Sequence, residues 1–258
     1  MQGILYVAHG SRTEEGVAEA KTFIGSIMKK VPAAIQETSF LELSAPTIEE
    51  GFKKCVKRGA TSVTVVPLFL LAAGHMKRDI PEILARLQKE YPGVAVALKD
   101  AAGVQADILD GLAEMAEQPA AGVHPGDTVL LAARGSSDPS VRTACEKIAA
   151  GLAERLGVQN TSTCYLASAR PCLDEGMQWA VNTTLQGRKI IVIPYLLFPG
   201  VLFSKIIRAV KAYRQQGVPV FHTGPLSRHE AILQAFLKNA WGKEVAVHAA
   251  ASHSIVRE

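Results

Sequence analysis

The chain has 258 residues, 48% of them hydrophobic and 20% charged, with a formal net charge of +4. That length and apolar content allow two domains of ordinary size, each with its own core. The longest strongly apolar stretch, Val63 to Ala73, contains Thr64 and Pro67 and is too short to span a bilayer, and no basic run exceeds two residues, so neither a membrane nor a nucleic acid is expected as a partner.

Met1-Gln2-Gly3 runs straight into Ile4–Val7 with no basic start, so no signal peptide is expected. Ile4–Ala8 reads as a buried strand. Thr13–Lys30 places Val17, Ala20, Ile24, Ile27 and Met28 at helical spacing, with Glu14 and Glu15 at its start and Lys29 and Lys30 at its end. Acid first and base last complement the helix dipole, and Pro32 closes the segment. Ile35–Leu41 predicts a second strand, and a helix opens at Pro46-Thr47 and stops at Gly59. Thr61–Leu71 is the most apolar strand and lacks alternation, as suits a strand covered on both faces of a parallel sheet. Helix 81–91, strand 94–98 and helix 104–117 complete the first half. The second half predicts strands near 128–132, 161–166, 189–198 and 218–222, separated by helices near 139–155, 171–184 and 201–216, with a last helix near 226–240.

The two halves are copies. Ala8-His9-Gly10-Ser11-Arg12 returns as Ala133-Arg134-Gly135-Ser136-Ser137, an offset of 125 from His9 to Arg134. Leu41–Pro46 falls opposite Leu166–Pro171 at the same offset, and Val66–Leu71 opposite Ile193–Phe198 at 127. Three ordered matches at nearly constant spacing require a duplication. The expected fold class is therefore α/β, with two similar domains, each a four-stranded parallel sheet flanked by helices, facing one another across a cleft. The N-terminal domain is expected over 1–120 and its copy over 126–242, joined near Pro119–Gly126, with a loosely held tail over 243–258. Cys55, Cys145, Cys164 and Cys172 form no CxxC pair and read as reduced thiols of a cytoplasmic protein.

Ligands of open parallel sheets bind beyond the carboxyl ends of the strands. His9 follows the first strand, Glu42 the second and His75 the third, so all three are expected at one sheet edge. Each alone has an ordinary reading: a turn or core histidine, a solvated surface acid, a loop histidine without a task. Gly10-Ser11 is expected to form a tight turn and cap the first helix. Together, two imidazoles and a carboxylate suit a divalent ion such as Fe²⁺, Co²⁺ or Ni²⁺ and leave coordination positions open. The copy has lost all of them: Arg134, Ala167 and Leu202 stand where His9, Glu42 and His75 would be. One half carries the chemistry and the other is expected to form the opposite wall of the cleft.

Val7-Ala8-His9-Gly10-Ser11-Arg12, Phe40-Leu41-Glu42-Leu43 with Pro46-Thr47-Ile48, and Val66–Leu70 followed by Gly74-His75 resemble the sirohydrochlorin chelatase family, nearest its two-domain bacterial ferrochelatases. The resemblance covers roughly residues 2 to 240. It implies two facing α/β domains and insertion of a divalent metal into sirohydrochlorin, ferrous iron giving sirohaem, with cobalt insertion on the route to cobalamin as the alternative. His9, Glu42 and His75 would be the catalytic and metal-handling residues. No tightly bound cofactor is expected, the metal being a substrate. Leu70, Leu71 and Met76 on one wall, and Phe198, Leu202 and Phe203 on the other, would take the apolar ring face. Arg12, Lys77, Arg78 and Arg134 would meet its carboxylates, with Ser11 beside them. No nucleotide-binding loop is present, so no ATP is expected. The tail offers only His248 and His253, with no cysteine after Cys172, whereas larger cobalt-specific relatives carry metal-rich extensions; this tilts the expectation toward iron. The duplication supplies internally the pairing that single-module relatives obtain by association, so a monomer is expected.

Two other classes fit part of the pattern. A histidine phosphatase would need a phosphate-binding arginine where Ala8 stands. A metal or tetrapyrrole carrier would use the same ligands without turnover.

Overall fold

The computed structural model describes residues 1–119 and 122–241. The expected tail, 243–258, lies outside them. The first sheet is built from β1 (Gln2–Ala8), β2 (Ile35–Phe40), β3 (Ser62–Pro67) and β4 (Ala95–Leu98), connected through α1 (Glu14–Lys30), α2 (Ile48–Lys57) and α3 (Ile80–Glu90). After α4 (Ala106–Glu117) come β5 (Thr128–Ala133), α5 (Pro139–Leu156), β6 (Asn160–Tyr165), α6 (Leu173–Thr183), β7 (Ile190–Tyr195), α7 (Val201–Gln215), β8 (Val220–His222) and α8 (Glu230–Trp241). The sheets have the orders β2-β1-β3-β4 and β6-β5-β7-β8, and every pairing is parallel. The expected α/β class and four-stranded parallel sheets are thus both present.

Burial explains the strand sequences. Six of the seven residues of β1, and all six of β5 and of β7, are buried, because helices cover both faces of these central strands. One core layer of the first unit gathers Leu5, Val7, Phe52, Val65 and Ile80. Removing a fully buried ring such as that of Phe52 costs about 3–5 kcal/mol. Helix starts follow the local chemistry. The Thr13 side chain caps α1 by accepting from the Gly16 N–H, and Thr47 and Glu50 form a reciprocal capping box on α2. The cap of α1 is therefore Thr13; Ser11 instead accepts from the Thr13 N–H through its Oγ at 3.1 Å.

Several boundaries differ from expectation. The third strand stops at Pro67, not Leu71, because its neighbour β1 ends at Ala8 and proline contributes no donor to the ladder. Residues 68–74 form a connection that leads to a π-helical turn, His75–Asp79, running directly into α3. His75 thus sits on a helical turn and not in a loop. The final helix is preceded by a separate 3₁₀ turn, Leu226–Arg228.

The compact units also depart from a simple cut at residues 120–126. Among the described residues, one comprises Met1–Ala102 with Leu233–Trp241, and the other Gly103–Ile232. In the first, Phe236 of α8 packs edge-on against Phe23 of α1 with ring centroids 5.7 Å apart. In the second, Arg155 of α5 donates to Asp110 of α4 at 2.6 Å. Helix α4 therefore belongs with the second sheet, although the sequence repeat assigns it to the first half.

Each unit builds the same strand-to-helix turn. Phe40 bridges to Thr47 in one and Tyr165 to Cys172 in the other. Both turns contain a cis proline, Pro46 or Pro171, and one non-glycine residue with positive φ, Leu43 at 61° or Ser168 at 55°. A left-handed residue retained in both copies belongs to the turn itself.

Candidate metal centre

In the first unit, β1 hands directly to His9 and β2, paired alongside it, leads to Glu42. Backbone bonds continue past the strand ends: the Leu41 N–H donates to the Ala8 carbonyl at 2.9 Å and the Glu42 N–H to the His9 carbonyl at 3.1 Å. These bonds set the two side chains next to one another. Gly10 is required by the same approach. Its φ is +96°, and a Cβ there would lie 1.8 Å from the Glu42 carbonyl oxygen. The third member, His75, arrives from the far side of β1 on the π-helical turn that follows β3.

The three expected ligands meet. One ligand atom each from His9, Glu42 and His75 lies within 4.8 Å of the others. His9 Nε2 is 3.4 Å from Glu42 Oε1, and the two imidazoles cross edge to face with centroids 4.9 Å apart. Metal bonds to such donors run to about 2.0–2.2 Å, so atoms sharing one ion stand at most about 4.4 Å apart. The separation observed is close to that span. Both histidine side chains are 27% exposed and that of Glu42 45%, so the cluster reaches the surface, although His9 Nε2 itself is buried. Phe69 lies against it, with its ring centroid 6.2 Å from that of His9.

Sequence reasoning missed Asp79. Its Oδ2 is 2.7 Å from His75 Nδ1, and Arg78 Nε donates to its Oδ1 at 3.1 Å. The hydrogen bond from His75, and then that from Arg78, hold the Asp79 carboxyl below the ordinary carboxylate range. The signal was the spacing of four residues from His75, which becomes readable only once the segment is known to be helical.

The remaining expected contacts separate. Arg12 and Lys77, three and two residues after His9 and His75, are exposed. Ser11 is half-buried and occupied with the turn, its Oγ 3.0 Å from Thr13 Oγ1 and its N–H donating to Ser44 Oγ at 3.2 Å. Met76, expected to face the macrocycle, is 7% exposed and lies in the core with Ile80 and Leu84. A π-helical turn sends consecutive residues in different directions, so His75 and Met76 do not share a face. Arg134, Phe198 and Leu202 belong to the second unit. Arg134 is exposed, Phe198 is half-buried, and Leu202 packs partly on that unit's core. Phe203 is buried edge-on against His222.

The second unit repeats the glycine-and-carbonyl scaffold without the candidate residues. The Ala167 N–H donates to the Arg134 carbonyl at 2.9 Å, and a Cβ on Gly135 would lie 2.0 Å from the Ala167 carbonyl oxygen. Arg134, Ala167 and Leu202 offer no metal donor, and among the described residues the cluster of His9, Glu42 and His75 is the one metal-competent group.

The family model described as CbiX matches twice, over residues 3–118 and 128–240. The chain belongs to the CbiX family. It is 43% identical to a sirohydrochlorin ferrochelatase of Priestia megaterium over 206 residues, 80% of this chain and 77% of that one. It is also 32% identical to a sirohydrochlorin cobaltochelatase of the same organism, over 84% of this chain and 71% of the relative. SirB from Bacillus subtilis, solved with Fe³⁺, superposes with a TM-score of 0.82 at 34% identity, covering 97% of each chain. The resemblance read from the His-Gly-Ser-Arg and Gly-His motifs is therefore borne out. No helix among the described residues is long and apolar enough to cross a membrane.

Proposed function

We propose that this CbiX family member is a sirohydrochlorin ferrochelatase, inserting Fe²⁺ into sirohydrochlorin through His9, Glu42 and His75. The observation that carries the reading is the convergence of two imidazoles and one carboxylate within 4.8 Å at the edge of a parallel sheet. The names borne by its relatives supply the substrate class.

Insertion exchanges two pyrrole N–H protons for one divalent ion. Three protein donors hold the incoming ion loosely and leave positions open for ring nitrogens. As the four ring nitrogens take the ion, the three bonds from the protein to the metal are given up. The lone pair so released on an imidazole or on the carboxylate accepts the proton leaving the pyrrole. Three donors suffice for two protons, so charge and mass balance without a cofactor. A thiolate set would bind the ion more firmly and oppose its release, and the first unit's described thiol, Cys55, is buried. Exposed Arg12 and Lys77 supply positive charge for the macrocycle's carboxylates.

Cobalt remains the second reading, on the strength of the cobaltochelatase relative. Anaerobic incubation of sirohydrochlorin with excess Fe²⁺ or Co²⁺ and a trace of protein, followed by absorbance, tests both. Many turnovers with iron outpacing cobalt are expected. Conversion that stops at one equivalent would identify a carrier, and a cobalt preference would reverse the metal assignment.

A further inference from the structure

The structure assigns Asp79 as a positioning residue that fixes the tautomer and aim of His75; the assignment rests on the reading of His75 as a metal ligand. Asp79 Oδ2 lies 2.7 Å from His75 Nδ1. A carboxylate has no hydrogen to give, so Nδ1 must be the protonated nitrogen, and the lone pair of the neutral ring is left on Nε2. The remaining ring nitrogen is then the one available to the cluster with His9 and Glu42.

Three features make this more than a surface ion pair. First, the two residues are separated by four positions within one π-helical turn, where such local widening recurs at functional sites. Second, the carboxylate is itself oriented, because Arg78 Nε donates to its other oxygen at 3.1 Å. Third, the pair is partly shielded, with 27% of the His75 side chain and 34% of the Asp79 side chain exposed. A carboxylate behind a metal-binding imidazole raises its basicity and restricts its rotation, and losing such a partner costs about 10- to 100-fold in metal affinity. His9 has a different arrangement, its ring lying against Glu42 and Phe69. The two imidazoles are therefore held by different partners.

The test compares wild type, Asp79→Ala, Asp79→Asn, His75→Ala and the double variant His75→Ala/Asp79→Ala. ¹⁵N spectra of histidine-labelled apoprotein at pH 8 read the tautomer without metal or macrocycle. The Nδ1–H form is expected for His75 in wild type and in Asp79→Asn, whose amide oxygen still accepts, and its loss is expected in Asp79→Ala. Co²⁺ titration should give a loss of about 10- to 100-fold in Asp79→Ala and less than about tenfold in Asp79→Asn. In the His75→Ala background, removal of Asp79 should change Co²⁺ affinity no further. An unchanged tautomer in Asp79→Ala, or an equal loss of affinity with and without His75, overturns the assignment. Wild type and His75→Ala binding Co²⁺ equally would instead remove the metal-ligand reading, while the tautomer result would still stand on its own.

Discussion

The carbonyl oxygen of Glu42 occupies the space a side chain on Gly10 would need, 1.8 Å from the position of its Cβ. The acid and the histidine-bearing turn are therefore locked together by main chain before any metal is bound. Gly10→Ala should force the two apart and impose strain at φ +96°. A destabilisation of about 1–3 kcal/mol is expected, together with loss of Co²⁺ binding by the folded fraction. Gly135→Ala meets the same obstacle at 2.0 Å from the Ala167 oxygen. It should destabilise similarly yet leave Co²⁺ affinity intact. Urea unfolding and metal titration of the pair separate the two effects.

His9→Ala and His75→Ala each delete a donor from a partly exposed site, at 27% exposure for both side chains. Insertion should fall by at least about 100-fold, the usual scale for a residue moving protons in a transition state. Stability should change by no more than about 0.5 kcal/mol, since neither ring fills a core. Initial rates and melting temperatures check this. Activity within a factor of two of wild type would remove that histidine from the mechanism.

Chelator treatment should leave the fold and its melting temperature unaltered, because both sheets close their cores without the metal cluster. Adding Co²⁺ at about 100 times its dissociation constant should stabilise the protein by about 2.7 kcal/mol. His75→Ala should show no such gain. Calorimetry with and without the ion provides the measurement.

Burial pushes the thiols of Cys55 and Cys164 up to about 12 and that of Cys145 to about 11. In an unfolded chain a thiol ionises near about 8.5. Between those values the unfolded state sheds protons that the native state retains, so the thiols' contribution is complete below about pH 8.5 and is lost as pH rises toward their folded values. Each thiol adds a downward slope of at most about 1.4 kcal/mol per pH unit. Urea denaturation from pH 8 to 10.5 should reveal the decline. Half-buried Cys172 should be the thiol that alkylates first in the native protein.

Much of this could be read from the residues alone. Unbroken apolar runs at Ile4–Ala8 and Ile190–Tyr195 announce strands covered on both faces, and the 125-residue echo announces a second sheet. The candidate cluster was legible because each of its residues follows a strand end, a position that topology alone brings to one edge. Contacts depending on direction within a turn were not. Met76 reads like an apolar wall residue beside His75, yet the π-helical turn sends it into the core. The partners of α4 and α8 were hidden for a related reason: an amphipathic pattern tells which face is covered, and is silent on what covers it. Phe236 meeting Phe23, and Arg155 meeting Asp110, depend on three-dimensional neighbours far apart in the chain.

The glycine-and-carbonyl half of the mount is present twice, while the counterpart of the π-helical turn bearing His75 is an ordinary α-helix that starts at Val201. Because Gly135 and the Ala167 carbonyl already reproduce that main-chain lock, two of the three candidate positions can change identity on an unaltered backbone, whereas the third depends on the turn that bears it.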